Sequence, residues 1–394
     1  MKSRIVRCLA LLFLAAIQGS ALAYEPLVEK RTFEMDSFTT QGGVTIPDVK
    51  VGWEAYGELN EAKDNVILIT HYFSGNSHAA GRYTADGDPG YWNSIIGSGK
   101  PIDTDEYYVI SVDSLVNLGA NDPNVVTTGP ATTNPETGEP YGMDFPVVTI
   151  RDFVEVQRTL LDELGIERLH AVMGASMGSM QAYEWASAYP DRVERVIPVI
   201  GSGWASAWLI GWLDIWARPI TLDPNWNGGD YYGGERPLDG LAAALKTVTL
   251  HAQHFEWANE SFGRAWADAD QDPAAAFGNR FQVQAVLDAA ASARARTADA
   301  NHFLYLAKAS QLFLAGGGDS PAVGLRAIDA PALIIHTPED LVFPPEGVEK
   351  TAAFIESDGT PVNIVELQGT RGHLDGVLNI EQAGPAIREF LDGE

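Results

Sequence analysis

Five residues near the middle of the chain, Gly174-Ala175-Ser176-Met177-Gly178, constrain the fold more than any other stretch. They follow a short apolar run, Leu169-His170-Ala171-Val172-Met173, and lead at once into a segment of helical character that ends at Pro190. A chain can turn that sharply from a buried strand into a helix only if the side chains around the bend are small. The pattern G-x-S-x-G meets that condition and puts a serine at the apex. Negative charge developing there would also lie at a helix N-terminus, where the dipole favours it. An ordinary Gly-Ser turn is the plainer alternative, but the strand before and the helix after are the context that a nucleophile requires.

The surrounding pattern tells what kind of sheet holds that bend. Short apolar stretches between Val28 and Thr70 read as strands, the last being Asn65 to Thr70, and Tyr107 to Val112 reads as another. The spacing of apolar residues from Thr149 to Leu164 predicts a helix stopped by Gly165, and Val193 to Ile200 predicts the strand after the elbow helix. Strand and helix alternate again from Ala332 to His336 and from Val362 to Leu367. Such alternation predicts a mostly parallel, doubly wound sheet. With a nucleophile elbow inside it, the expected class is the α/β-hydrolase fold. Between Gly203 and about Gly317 the pattern is helical alone and holds seven of the ten tryptophans, so one sheet is interrupted by a helical cap. The expected division is 24–203 and 326–394 for the core and 204–325 for the cap.

Residues 1–23 form a separate unit. Lys2, Arg4 and Arg7 precede an apolar run from Cys8 to Ile17, and small residues at Ala21 and Ala23 follow, which is the layout of a signal peptide cleaved after Ala23. The run falls well short of the roughly 18 apolar residues that span a bilayer, so no stable membrane anchor is expected. The mature protein is expected to be periplasmic or secreted. It would contain no disulfide, because Cys8 is the only cysteine. Fifty-three acidic against 26 basic residues, a formal charge of −27, argue against nucleic acid as a partner.

A hydroxyl near neutral pH needs a histidine to take its proton and an acid to hold that imidazole. In this fold the chain order is serine, acid, histidine. Only His373 lies beyond the strand ending at His336 and the turn Thr337-Pro338-Glu339-Asp340 that supplies the acid. Asp340 and Glu339 are both candidates, and either could instead be a turn residue. His336 is expected to be a satisfied core histidine. His251 and His254 could share a helix face, but no third ligand has suitable spacing, so no metal and no cofactor are expected. Two backbone N–H groups should hold the tetrahedral oxyanion, that of Met177 after the nucleophile and that of Phe73 in the early loop His71-Tyr72-Phe73-Ser74-Gly75.

Several stretches together resemble the homoserine O-acetyltransferase family of α/β hydrolases. They include His71 to Gly81, Gly99 to Thr104, Asn134 to Gly138, Asp144 to Thr149, Ser176 to Gln181, Asp223 to Tyr231 and Phe343-Pro344-Pro345. The likeness supports Asp340 as the acid and implies a ping-pong route in which acetyl-CoA acylates the serine and homoserine removes the acyl group. It also allows a homodimer. The chain departs from the family's pattern where charge would meet homoserine. Leu374, not an aspartate, follows His373, with Asp375 one residue later; Leu245 stands at the place of an arginine, with Lys246 adjacent. A zwitterion without charged partners would be poorly compensated.

The leading expectation is therefore a serine-dependent acyl-ester hydrolase or acyl-transfer enzyme acting on a small acyl ester or acyl donor. The alternatives are homoserine O-acetyltransferase itself and a non-catalytic binding protein that keeps the fold. Trp204, Trp208, Trp212 and Trp216 recur every four residues and share a broad helix face. That stripe is either packing or an apolar wall for substrate. Trp204, Trp208, Lys246 and Asp375 are the candidate substrate contacts.

Overall fold

The computed structural model describes residues 27–393, so the expected signal peptide lies outside the described residues. Strands β1 (Arg31–Thr39) and β2 (Thr45–Tyr56) form an antiparallel hairpin. Next come β3 (Val66–Thr70), a small separate pair, β4 (Ile96–Gly97) with β5 (Ile102–Asp103), and β6 (Tyr108–Val112). The main sheet continues with β7 (Ala171–Ala175), β8 (Val196–Val199), β9 (Ala332–His336) and β10 (Val362–Glu366). Its order is β1-β2-β6-β3-β7-β8-β9-β10, and every pairing beyond β6 is parallel. This is the α/β-hydrolase arrangement expected from the alternation of strand and helix.

Side chains of a strand point alternately to its two faces, and the core divides accordingly. Val66 and Leu68 of β3, with Val172 of β7 and Ile334 of β9, belong to one apolar cluster; Ile67, Ile69, Met173 and Ile335 belong to a second. Strands buried on both faces read as continuous apolar runs, which is why these were visible in the sequence. Helix α1 (Ile150–Glu163) opens with a capping box, in which Thr149 accepts from the Asp152 N–H and Asp152 accepts from the Thr149 N–H at 2.7 Å. Helix α2 (Met177–Ala188) follows the elbow and is buried along nearly its whole length.

The helices between β8 and β9 begin with α3 (Ala207–Leu222), α4 (Leu238–His251), α5 (Phe255–Phe262), α6 (Gln282–Ala295) and α7 (Ala300–Gln311). The chain enters and leaves this group side by side. The Ala205 N–H donates to Phe313 O and the Ala315 N–H to Gly203 O, both at 2.9 Å, so the two stems meet at 203–205 and 313–315. After the exit, the Gly316 N–H donates to Glu184 and Ser187 donates to Gly324 O, binding 316–324 to α2. That segment, with α8 (Pro321–Arg326), packs on the core and lies outside the stems, although the expected cap ran on to 325. The cap's Leu209, Trp216, Leu241 and Phe303 join the same apolar cluster as one face of the sheet. After β9 come α9 (Pro345–Glu356), then β10, α10 (Asp375–Leu378) and α11 (Gly384–Asp392). No helix among the described residues is long and apolar enough to cross a membrane.

Candidate active site

Parallel strands all present their carboxyl ends at one edge of the sheet, and that edge collects the reactive side chains. Ser176 follows β7, Asp340 follows β9 and His373 follows β10. Ser176 has φ +57° and ψ −117°, a conformation costly for a residue with a side chain, and it persists because the neighbours leave no alternative. A Cβ at Gly174 would come within 2.0 Å of Thr70 Oγ1, and one at Gly178 within 2.1 Å of the Thr70 carbonyl oxygen. The two glycines of the motif therefore let β3 and α2 approach closely enough to hold the bend.

His373 bridges the other two groups. Its Nε2 lies 2.8 Å from Ser176 Oγ and its Nδ1 lies 2.7 Å from Asp340 Oδ2. The second carboxylate oxygen of Asp340 accepts the backbone N–H groups of Val342 at 2.7 Å and Phe343 at 2.9 Å, so the acid cannot swing away. Glu339, the other candidate, is exposed and reaches His254 at 3.2 Å. All three members of the Ser176, His373, Asp340 chain are buried or nearly so. With Asp340 fixing the Nδ1–H tautomer, the free Nε2 can accept the serine proton.

Neither of the expected oxyanion donors, the Phe73 and Met177 N–H groups, has a hydrogen-bond acceptor among the described residues. The Phe73 ring packs edge-on against Trp216 at 5.8 Å and Phe303 at 5.1 Å, which ties the early loop to the cap.

The cap supplies a wall of aromatic rings. Trp212 stacks on His251 at 3.9 Å, and Trp216 meets the same imidazole edge-on at 5.5 Å. Trp208 touches Trp212 at 5.9 Å and donates its indole N–H to Leu341 O, beside Asp340. Burial, with the nearby charge of His373 second, lowers the His251 pKa to about 4, so this imidazole is neutral at neutral pH. Phe343 stacks on the His373 ring at 5.7 Å.

Four expectations need correction. Trp204 does not share the tryptophan face, because Ser206 caps α3 and the helix begins at Ala207; Trp204 packs instead on Phe354 of α9. Lys246 pairs with Asp288 at 2.6 Å, which satisfies its charge within the cap. Asp375 is fully buried and accepts the Arg371 N–H and the Asn379 side-chain amide, so it braces the loop that carries His373. His251 and His254 do not share a helix, since α4 ends at the first and the second precedes α5. His336 is buried as expected, yet its Nδ1 has no partner among the described residues. Among those residues no group of three or more His, Cys, Asp or Glu side chains could hold a metal ion.

Sequence reasoning assigned no role to His251, Phe343 or Arg294. Arg294 donates to Thr249 Oγ1 at 2.9 Å and lines a small cavity with Ser74, Asn76 and Leu245, close to the early loop. The Trp212 to His251 stack joins the middle of α3 to the last residue of α4, a pairing across a helix connection that no local pattern marks.

Residues 96–367 match the alpha/beta hydrolase fold family. A homoserine O-acetyltransferase from Haloarcula marismortui is 38% identical over 381 residues, spanning 93% of this chain and 92% of that protein. The chain belongs to the homoserine O-acetyltransferase family of α/β hydrolases. A second member, from Methanosphaerula palustris, is 37% identical over 89% of this chain and 70% of its own length. The crystal structure of a homoserine O-acetyltransferase from Bacillus anthracis superposes with a TM-score of 0.88 at 36% identity, covering 93% of this chain and 98% of that one. The crystal structure of esterase E22 superposes with a TM-score of 0.89 at 52% identity, covering 93% and 100%. As a member of this family the chain is an acyl-transferring enzyme of the α/β-hydrolase superfamily.

Proposed function

We propose that this member of the homoserine O-acetyltransferase family is an esterase, in which Ser176 takes the acyl group of a small ester and water removes it. Ser176 Oγ attacks the ester carbonyl as its proton passes to His373 Nε2, and the N–H groups of Phe73 and Met177 hold the resulting oxyanion. Collapse of the intermediate breaks the bond to the alcohol, which leaves with the proton from His373. Water then gives a proton to the same nitrogen and attacks the acyl-enzyme; as the second intermediate collapses, the bond to Ser176 Oγ breaks, that proton returns to the serine, and the acid leaves.

The observation that carries this reading is the aligned Asp340, His373 and Ser176 chain beneath an apolar roof. Support for water over homoserine comes from the acceptor side. Leu374 is packed against the apolar core, Leu245 is fully buried, Lys246 is paired with Asp288, and the Asp375 carboxylate is taken up by the Arg371 N–H and the Asn379 amide. Bringing an ammonium and a carboxylate into such a place without compensation costs several kcal/mol. The 52% identity to esterase E22 points the same way. Homoserine O-acetyltransferase activity is the second reading, supported by the names of the curated relatives.

Purified protein assayed with p-nitrophenyl esters of graded chain length, beside acetyl-CoA with homoserine, separates the two. Ester hydrolysis without O-acetylhomoserine is expected; O-acetylhomoserine forming faster than acetate would overturn the proposal. Export to the periplasm or medium is part of the same proposal and rests on residues 1–23 alone; an uncleaved N-terminus on protein recovered from cells would refute it. A homodimer is also proposed, on family likeness, and sedimentation as a monomer would exclude it.

A further inference from the structure

The early loop that carries the Phe73 N–H is held by a histidine with no part in proton transfer to substrate. His71 ends the extension of β3 and is buried, 1% exposed. Its Nε2 faces two donors, the Ser114 N–H at 3.0 Å and the Asn117 side-chain amide at 3.2 Å. A ring nitrogen facing two donors must be the unprotonated one, so the proton sits on Nδ1. That Nδ1–H lies 2.9 Å from the carbonyl oxygen of Tyr72 and donates to it.

The Tyr72 carbonyl and the Phe73 N–H are the two ends of one peptide unit. In a trans peptide they point in opposite directions, and the plane turns as a rigid body. The same carbonyl also accepts the Gly75 N–H at 2.9 Å, so both of its lone pairs are used. Fixing the oxygen fixes where the N–H on the far side points. A hydrogen bond to the carbonyl also polarises the amide and strengthens its N–H as a donor, by roughly 10–30% for each bond in a chain. The loop lies against the elbow, since Thr70 Oγ1 donates to Gly178 O at 2.7 Å and the Gln181 side chain reaches His71 O at 3.4 Å. Asn117 adds a second hold by donating to Gly75 O at 3.0 Å.

We propose that His71 is a positioning residue for the oxyanion hole, a neutral Nδ1–H imidazole that sets and polarises the Tyr72–Phe73 peptide so that its N–H meets the developing negative charge. The inference rests on the proposed role of Ser176 and of the Phe73 N–H. Burial is the main cause that holds this imidazole below its usual pKa, and the Lys30 charge acts in the same direction, against smaller upward pulls from the Tyr72 carbonyl and Asp113. A charged ring would put an N–H against both the Ser114 N–H and the Asn117 amide. The neutral form is thus required by the same contacts that fix the tautomer.

Two substitutions separate positioning from simple packing, because asparagine places an amide where Nδ1 stands and glutamine places one where Nε2 stands. His71→Asn can still donate to the Tyr72 carbonyl. His71→Gln can still accept from Ser114 and Asn117 but has lost the donation. The expected result is a fall in kcat of about 10- to 100-fold for His71→Gln with KM changed less than about threefold, and most of kcat kept in His71→Asn. Affinity for an alkyl trifluoromethyl ketone, which mimics the tetrahedral adduct, should fall by the same factor as kcat. Equal losses in the two variants, or losses that follow their thermal stability and leave ketone affinity unchanged, would overturn the inference.

Nitrogen-15 NMR of the histidines in the unsubstituted protein gives a reading that needs no variant to fold. A His71 ring protonated on Nδ1 and unchanged between about pH 6 and 8 is expected; an Nε2–H tautomer or a titration in that range would refute the assignment. Ester hydrolysis retained by Ser176→Ala would instead remove the proposed function, and this inference with it.

Discussion

The carboxyl edge of the sheet and the cap above it meet at the loop that carries His373, where the Leu374 N–H donates to Ala252 O at 3.3 Å, but they are held by different forces. At the edge every reactive group is fixed by directional bonds, with Asp340 taken by two backbone N–H groups and one imidazole nitrogen, and Ser176 by a bend that its glycines alone permit. In the cap the contacts are rings against rings, Trp208 on Trp212, Trp212 on His251, and Trp216 on Phe73. Directional bonds tolerate almost no substitution, whereas an apolar wall can change residue by residue while the fold survives. A fold of this kind can therefore keep its triad while the apolar residues of its cap change.

The comparison can be broken in order of expected effect. Asp340→Asn should lower kcat on any ester by roughly 10⁴-fold with little change in thermal stability, because the imidazole loses its tautomer and orientation. A loss below tenfold in steady-state assays would show that the edge is not rigid in the way described. Trp212→Ala should act selectively. Removing a side chain that buries acyl chain is worth roughly 1.5–3 kcal/mol, so kcat/KM for longer p-nitrophenyl esters should fall about 10- to 100-fold while acetate hydrolysis changes little. Equal losses across chain lengths would make the tryptophan a packing residue only.

Acid should loosen the cap through His251. The His251 pKa is lowered to about 4 in the fold, so the stability gained by burying the neutral ring is complete above its unfolded pKa near 6.5 and is lost as pH falls towards 4. Unfolding temperature measured across that window should fall by several degrees, and His251→Phe should flatten the curve. An unchanged pH profile in that variant would remove the cause. The smallest effect belongs to Lys246→Met. An exposed pair with Asp288 contributes at most about 1 kcal/mol, so activity should stay within about twofold; a larger fall in kcat/KM would return Lys246 to the list of substrate contacts.

Much of the edge was legible because its signals are local. G-x-S-x-G between an apolar strand and a helix, the order of serine, acid and histidine, and the run Ala332 to His336 each need only a few adjacent residues. The cap was legible as a class but not in detail. A four-residue tryptophan spacing runs straight through the start of α3, and only the Ser206 cap marks where helix begins, so Trp204 was grouped with residues it does not join. Lys246 and Asp375 carry charges whose partners, Asp288 and the Arg371 to Asn379 loop, depend on how the chain returns on itself. The hold of His71 on the Tyr72 carbonyl was hidden for the same reason, since its tautomer is set by Ser114 and Asn117 more than forty residues away.

The central claim is that acyl groups pass through Ser176. Rapid quenching of the protein with p-nitrophenyl acetate, followed by peptide mass analysis, tests it most directly. An acetyl group on the Ser176 peptide, forming and decaying at rates that match turnover and absent from His373→Ala, is the predicted result. Steady ester hydrolysis with that peptide never modified would contradict the account.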